Sequence, residues 1–208
     1  MYAYIDRRGS LYDTECLSLF GTNSFNLVWE KICAEIMDNQ LDVPLGILKL
    51  PVPLKEDYNR RQKLIELIEK PLWTITGKCA KDTLIPDLVS ICKVNEQHQF
   101  IIFDAKYYNA HLEKGIVPTG QPGIESITKQ YLYQLAYQRF IEDHKFSSVK
   151  NCFLLPTENN EIEDKGEVRM EMLSNLGLQD IKIRLIPATM AYDLYLSGSK
   201  MDMERLDL

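Results

Sequence analysis

A mixed α/β fold, with a β-sheet flanked by helices on both faces, is what the order of helical and extended patterns along this chain predicts. Two helical patterns come first and an apolar hairpin pattern follows; a third helix then precedes further strands and a short last helix. The length of 208 residues fits one domain, numbered 1–208, with its core at about residues 20–190 and peripheral ends.

The N-terminal part of the sequence predicts two helices separated by a proline-rich loop. Apolar residues recur at three- and four-residue steps over residues 25–37, which predicts an amphipathic helix with its N-cap at residues 22–24. Residues 42–53 contain three prolines and are predicted to form loop or edge structure. Residues 57–70 mix apolar and basic side chains at helical spacing, and Pro71 ends this second predicted helix.

Short extended runs follow, and two of them predict a hairpin. Residues 72–76 show one short strand pattern that ends at Gly77. Residues 84–94 and 99–107 are apolar runs separated by a polar turn at residues 95–98, so they are predicted to pair as an antiparallel hairpin.

The C-terminal half predicts one long helix among shorter elements. A loop rich in glycine and proline at residues 109–123 leads into a helix at residues 124–141. Three short strand patterns and a last helix follow, at residues 152–155, 168–173, 181–186 and 188–196.

Composition and charge restrict the class of protein. With 45% hydrophobic and 26% charged residues, the chain is neither disordered nor of low complexity. It shows no secretory segment and no apolar run that could span a bilayer, so we expect a cytoplasmic protein with no membrane partner. The five cysteines form no C-x-x-C pair, which argues against a zinc or disulfide framework. The net charge of −6 comes mainly from residues 158–171, which leaves the rest near neutral and compatible with DNA binding.

One cluster of ionisable residues can carry chemistry. Asp87 follows Pro86 in the first strand of the predicted hairpin, and Asp104 and Lys106 lie in the second strand. Side chains alternate along a strand, so Asp104 and Lys106 share a face and Asp87 can lie opposite Asp104. Two carboxylates favour Mg²⁺, with the Ala105 backbone carbonyl as a further ligand, and a neighbouring lysine can activate water against a phosphodiester. The alternative is a surface hairpin with a solvated Asp104–Lys106 pair.

Residues on two predicted helices can join this cluster. Glu30 lies in the first helix, whose apolar side faces the sheet; the alternative is a solvated glutamate. Gln130, Gln134 and Tyr137 share one face of the third helix and can orient the lysine or contact a phosphate. An ordinary amphipathic helix explains these three residues equally well.

Taken as a set, these motifs resemble the PD-(D/E)xK nuclease superfamily in its restriction-endonuclease branch. The series is similar to the LlaJI-type restriction endonucleases and, more distantly, to the DNA-cutting McrC subunits. The resemblance covers about residues 20–140. The motifs that carry it are Trp29-Glu30, Ile85-Pro86-Asp87, Phe103-Asp104-Ala105-Lys106-Tyr107-Tyr108, Pro122-Gly123-Ile124 and Lys129-Gln130.

The resemblance implies a restriction-endonuclease-like core and Mg²⁺-dependent hydrolysis of double-stranded DNA, with Mn²⁺ as an alternative ion. By this resemblance, Asp87 and Asp104 are metal ligands, and Lys106 positions the nucleophilic water. Glu30 becomes a further metal or water contact, and Gln130 supports the site.

The resemblance also implies a separate nucleotide-driven partner, such as an McrB-like GTPase, or a separate recognition subunit. The chain has no Walker-type phosphate loop of its own. Cutting both strands favours a homodimer or a paired subunit. Two alternatives stay open: a structure-specific repair or recombination nuclease, and a catalytically inactive nuclease-fold subunit that binds DNA or assists assembly.

The sequence also predicts where the histidines lie and which basic residues contact DNA. The histidines His98, His111 and His144 share no ligand spacing and are expected in loops or on the surface. The basic residues expected to contact DNA phosphates are Arg60, Arg61, Lys63, Lys78, Lys81 and Lys129.

Overall fold

The computed structural model describes residues 24–208 of the chain, so the predicted start of the core near residue 20 lies outside the described residues. Its α-helices are α1 (Phe25–Ile36), α2 (Ile124–Asp143) and α3 (Ala188–Ser197). Its strands are β1 (Leu72–Trp73), β2 (Lys78–Cys79), β3 (Leu88–Val94), β4 (Gln97–Ala105), β5 (Ser148–Thr157), β6 (Glu163–Val168) and β7 (Ile181–Pro187). None of the helices in this part of the chain has the length and apolar character needed to cross a bilayer.

The main sheet contains five strands in the order β3-β4-β5-β7-β6. Strand β5 runs parallel to both β4 and β7, whereas the outer pairs β3–β4 and β6–β7 are antiparallel. Strands β1 and β2 form a separate two-stranded hairpin. The predicted mixed sheet is therefore confirmed.

The hairpin β3–β4 forms as the sequence predicts, with a tighter turn. Asn95 and Glu96 both have positive φ values, 47° and 64°, and together they make the two-residue connection. Turns of this kind match the right-handed twist of paired strands, which keeps β3 and β4 in continuous register. The turn is therefore two residues long where the sequence predicted four.

Helices pack on both faces of the sheet, as predicted, because side chains alternate along the central strands. On one face, Ile101 and Phe103 of β4 pack with Trp29 of α1, and α3 covers the same layer. On the other face, Phe100 of β4 packs against Tyr137 of α2, with ring centroids 5.2 Å apart. The two layers thus enclose the sheet and place the ends of β3 and β4 between α1 and α2.

The predicted helix at residues 57–70 is wrong. Only the 3₁₀ turn Leu64–Leu67 forms within it. Its backbone hydrogen bonds are long-range instead: the Ile65 N–H donates to the Leu41 carbonyl at 2.9 Å, and neighbouring residues pair with residues 43–46. Apolar side chains at helical spacing reach the core here through an extended, turn-rich path rather than a helix.

The predicted strand at residues 168–173 is also wrong. The edge strand β6 comes earlier, and residues Glu171–Leu176 form a 3₁₀ helix. Strand β6 carries charged side chains and an irregular register between Asp164 and Glu167, as exposed edge strands commonly do. Strand β6 lacks the alternation of apolar and polar residues from which a strand is predicted, so the sequence pattern did not indicate it.

The C-terminal residues belong to the core, which differs from the predicted peripheral end. Met201 and Leu206 are buried in the layer beneath α1. The buried Arg184 guanidinium donates to the carbonyls of Leu206 and Asp207 at 2.6 and 2.5 Å, and it pairs with Asp164 at 2.5 Å. One buried arginine of β7 therefore fixes the last residues against the sheet.

Candidate active site

Two carboxylates meet at one end of the hairpin β3–β4. The strand register places Leu88 opposite Phe103, and its continuation by one residue brings Asp87 opposite Asp104. An Asp87 side-chain oxygen accepts a hydrogen bond from the Ala105 N–H at 2.9 Å. The backbone of β4 thus fixes the Asp87 carboxylate, which lies opposite Asp104 as strand alternation predicted.

Lys106 completes this cluster. Its ammonium group forms an ion pair with Asp104 and lies 3.7 Å from an Asp87 carboxylate oxygen. The Asp104 side chain is only 6% exposed, and those of Lys106 and Asp87 are 20% and 23% exposed. A solvated surface pair would leave Asp104 open to water, so the arrangement is a partly buried site with one open side.

Burial and, after it, the neighbouring Asp87 raise the pKa of Asp104 to about 8, against the opposing effect of Lys106. Burial also lowers the pKa of Lys106, but the Asp104 carboxylate outweighs it and the net shift is upward. The cluster therefore favours a charged lysine and resists two adjacent negative carboxylates.

Glu30 approaches the same cluster from α1, on the face of the sheet opposite α2. The preceding Trp29 is fully buried, and its indole N–H donates to the Leu154 carbonyl at 3.1 Å, which anchors α1 on β5. Burial raises the pKa of Glu30, and Asp87 raises it further, while Lys106 lowers it. Glu30 is thus half-buried and within the electrostatic reach of the cluster.

Helix α2 supports both strands of the hairpin at this end. The buried Gln130 amide donates to the Ile102 carbonyl of β4 at 2.7 Å. The Tyr133 hydroxyl donates to the Ile85 carbonyl at 2.9 Å, two residues before Asp87. The sequence analysis missed Tyr133, although its three-residue spacing from Gln130 places both on one helix face.

The other two residues proposed on α2 have structural roles. Gln134 accepts hydrogen bonds from the Asn151 side chain at 2.7 Å and from the Gln179 N–H at 3.1 Å. Tyr137 is buried against Phe100 in the core. For these two residues the ordinary amphipathic helix is the correct interpretation.

A divalent cation fits the donor chemistry of this end of the hairpin. Within residues 24–208, no three His, Cys, Asp or Glu side chains are grouped as a metal site, so the carboxylate pair needs backbone or water ligands as well. The Ala105 N–H points towards Asp87, and a residue's carbonyl lies on the same edge of a strand as its N–H. Burial and then the neighbouring Asp87 raise the pKa of Asp104, and a cation bound beside both carboxylates would favour their ionised forms.

The six candidate DNA contacts lie on three separate elements. Arg60, Arg61 and Lys63 lie in the turn-rich segment before β1, where Lys63 pairs with Asp42 at 2.7 Å. Lys129 on α2 pairs with Glu125 at 2.6 Å. The other two, Lys78 and Lys81, lie in and just after the β1–β2 hairpin. Contact with DNA stays a prediction for all six.

The histidines are only partly where the sequence predicted. His111 is exposed and bridges to Thr119 in the loop after β4. His144, expected on the surface, is fully buried, and its ring bonds to the Phe140 carbonyl and the Lys55 N–H. A histidine that ends a core helix satisfies backbone groups there, which its position in the sequence alone did not indicate.

Comparison with known proteins identifies the family. The family model described as LlaJI restriction endonuclease matches residues 1–193. Over 209 aligned residues the chain is 28% identical to the type II restriction enzyme BsuMI component YdjA of Bacillus subtilis (strain 168). The match covers 97% of this chain but only 39% of that relative. No solved structure matches. The chain belongs to the LlaJI restriction endonuclease family.

Proposed function

We propose that this chain is the DNA-cleaving domain or subunit of a restriction system and that it hydrolyses phosphodiester bonds of double-stranded DNA with a divalent cation. The observation that carries the proposal is the joint placement of Asp87, Asp104 and Lys106 at one partly buried end of a hairpin. Membership of a restriction endonuclease family supports a nuclease of such a system.

In this proposal the two carboxylates hold the ion. Asp87 and Asp104 would bind Mg²⁺, or Mn²⁺ in its place, through hard oxygen ligands, with the Ala105 carbonyl as a third donor. When bound, the cation would polarise the scissile phosphate and neutralise charge that develops on it. Glu30 would add a water-mediated contact from α1.

Lys106 would act as a hydrogen-bond donor rather than as a base. Its raised pKa keeps the ammonium charged at neutral pH. A charged lysine can orient the attacking water and donate to a phosphate oxygen as negative charge accumulates there. In-line attack of that water would leave a 5′-phosphate and a 3′-hydroxyl.

Gln130 would act indirectly. Its hydrogen bond to the Ile102 carbonyl holds β4 two residues before Asp104.

We also propose a further component that supplies target recognition or nucleotide-driven movement, such as an McrB-like GTPase or a separate recognition subunit. The similarity to a protein that is itself one component of a restriction enzyme supports this part.

The test combines cleavage with direct metal binding. Supercoiled plasmid is incubated with the protein and Mg²⁺ at about 10 mM, with and without EDTA, and Mn²⁺ binding is followed by electron paramagnetic resonance. Asp104→Asn should abolish Mn²⁺ binding and reduce nicking by about 100-fold or more, whereas Lys106→Met should reduce nicking alone.

Matched controls come from the other end of the same hairpin. Lys93 and Glu96 form an exposed ion pair at the turn, so Lys93→Met and Glu96→Gln should leave both signals unchanged. Mn²⁺ binding that survives Asp104→Asn would contradict the proposed site, and EDTA-resistant nicking would contradict the proposed chemistry. Because metal binding is measured directly, the site is tested even if cleavage requires a further component.

A further inference from the structure

The hairpin β1–β2 forms a basic and apolar arm on the surface. Every residue from 69 to 79 is exposed, including Leu72 at 60%, Trp73 at 64% and Ile75 at 95%. Residues 70–81 contain three lysines, Lys70, Lys78 and Lys81, and no acidic residue. We call residues 70–81 the arm.

Hydrogen bonds between its two ends close the base of the arm. The Ala80 N–H donates to the Pro71 carbonyl at 2.8 Å, and the Lys70 ammonium donates to the Lys81 carbonyl at 2.7 Å. Just outside the arm, the Thr83 hydroxyl donates to the Glu69 carbonyl at 2.7 Å. The arm is therefore a closed hairpin with its large apolar side chains in water.

A groove of opposite charge lies directly beside the arm. This groove has a volume of about 860 Å³ and is lined by Pro71 at the base of the arm. Its apolar lining includes Leu67, Leu84 and Phe140. Its charged lining is four carboxylates and one guanidinium, from Asp57, Glu66, Glu69, Asp82 and Arg139.

The arm and the groove complement each other, yet the arm does not occupy the groove of its own chain. We infer that the arm of one molecule inserts into the acidic groove of a second copy, so that two copies exchange arms across a two-fold axis. A two-fold interface must be self-complementary, and here one surface carries both halves. Because the two halves are neighbours, one axis beside Pro71 would form both contacts together.

The same observations weigh against DNA as the occupant of this surface. Carboxylates beside the arm would repel phosphates, and three exposed apolar side chains are not needed for contact with a phosphate backbone. A groove with an apolar floor and an acidic rim matches a basic, aromatic arm of a protein. DNA contact by Lys78 and Lys81 is the competing outcome of the test.

The first measurement is the mass of the full chain in solution by sedimentation velocity, over a range of concentrations. We expect a species of twice 24.1 kDa that dissociates on dilution. Trp73→Asp should weaken the dimer by about 30-fold or more, because a central aromatic anchor is lost. Lys49→Glu, an exposed lysine outside the arm and the groove, should leave the dimer unchanged.

The decisive measurement is a charge exchange in two variants. The arm variant carries Lys78→Glu and Lys81→Glu, and the groove variant carries Glu69→Lys and Asp82→Lys. Each variant alone should be monomeric, because acidic arms would face acidic grooves or basic arms basic grooves. In a mixture both contacts of a heterodimer regain opposite charges, so a mixed dimer should form.

All four of these side chains are exposed, and circular dichroism of each variant confirms its folding. The inference is overturned if the unaltered chain stays monomeric at all concentrations, or if its dimer persists in both charge variants. Loss of duplex-DNA binding by the arm variant, with no change of mass, would assign the arm to DNA instead. These readouts are independent of cleavage, so they stand apart from the proposed nuclease activity.

Discussion

The Tyr133 hydroxyl donates a hydrogen bond to the Ile85 carbonyl at 2.9 Å, which ties helix α2 to the short segment that carries Asp87. Tyr133 is only 6% exposed. Burial is the main cause of its raised pKa, and the carboxylates of Asp104 and Asp87 raise that pKa further. The phenol therefore lies close to the carboxylate pair and stays protonated as a donor.

Tyr133→Phe should weaken the candidate active site without unfolding the protein. Loss of the hydroxyl leaves the Ile85 carbonyl without its partner and frees the segment before Asp87. We expect Mn²⁺ affinity to fall about tenfold, as for other residues that orient metal ligands, and stability to fall by about 1 kcal/mol.

Tyr131→Phe on the same helix is the matched control. The Tyr131 hydroxyl accepts from the Met170 N–H at 3.2 Å, far along the chain from the carboxylates. This variant should lose stability but keep its metal affinity. Equal metal affinity in both variants would show that Tyr133 has a structural role alone.

The stability of the metal-free protein should decrease as pH rises. The pKa of Asp104 in the folded protein is about 8, well above the ordinary value of an aspartate, about 3.9. Between these values the folded state binds more protons than the unfolded state, so the free energy of unfolding falls with rising pH and reaches its lower level above about pH 8. Thermal unfolding between pH 5 and pH 9, at low salt and with EDTA, measures this slope.

Asp104→Asn removes this titration and should flatten the profile. Mg²⁺ should raise the melting temperature of the unaltered protein more at pH 8.5 than at pH 6, because the cation requires the ionised carboxylate. A stability that instead rises with pH over this range, in the unaltered protein but not in Asp104→Asn, would contradict the raised pKa.

Arg184→Met should release the C-terminal residues. The guanidinium satisfies the carbonyls of Leu206 and Asp207 and pairs with Asp164, so its removal strands buried polar groups. We expect a loss of about 3 kcal/mol in the free energy of unfolding by urea, and faster trypsin cleavage after Arg205.

Lys182→Met provides the comparison for this effect. Its ammonium also donates to the Asp207 carbonyl, at 3.0 Å, but from an exposed position. It should cost less than about 1 kcal/mol. Similar losses in the two variants would mean that the buried arginine is not what holds the C-terminal residues.

Gly120→Ala should destabilise the loop that follows the strand of Lys106. Gly120 has a φ of 64°, and an added Cβ would come within 2.3 Å of the Asn109 carbonyl oxygen. Gly115 has a φ of 81° but open space around the same position, so Gly115→Ala tests the conformational cost alone. We expect Gly120→Ala to cost at least 1 kcal/mol more than Gly115→Ala in urea unfolding, as the close contact adds to the strained φ.

Regular patterns in the sequence were sufficient for the elements that build the candidate active site. Helices α1 and α2 and the hairpin β3–β4 follow from apolar periodicity and turn residues, and strand alternation correctly placed Asp104 beside Lys106. The register of β3 and β4, continued by one residue, puts Asp87 opposite Asp104, as the hairpin pattern predicts.

What the sequence could not supply was long-range. Residues 57–70 look helical, but their hydrogen-bond partners lie some twenty residues earlier, in a segment that local spacing cannot identify. Tyr133 donates to a carbonyl 48 positions away, so only the packing of α2 on the hairpin reveals its role. The groove beside the arm likewise depends on the fold, because Asp57 and Arg139 join its lining from other parts of the chain.

Asp87 is held by a main-chain group of β4, which is an internal strand of the sheet. Strand β4 bonds to β3 on one side and to β5 on the other, and the Ala105 N–H holds Asp87 directly. Residues on the arm and in the loop after Lys106 contribute nothing to this ladder. Substitutions in these exposed segments therefore leave the hydrogen bonds that position the carboxylate pair in place.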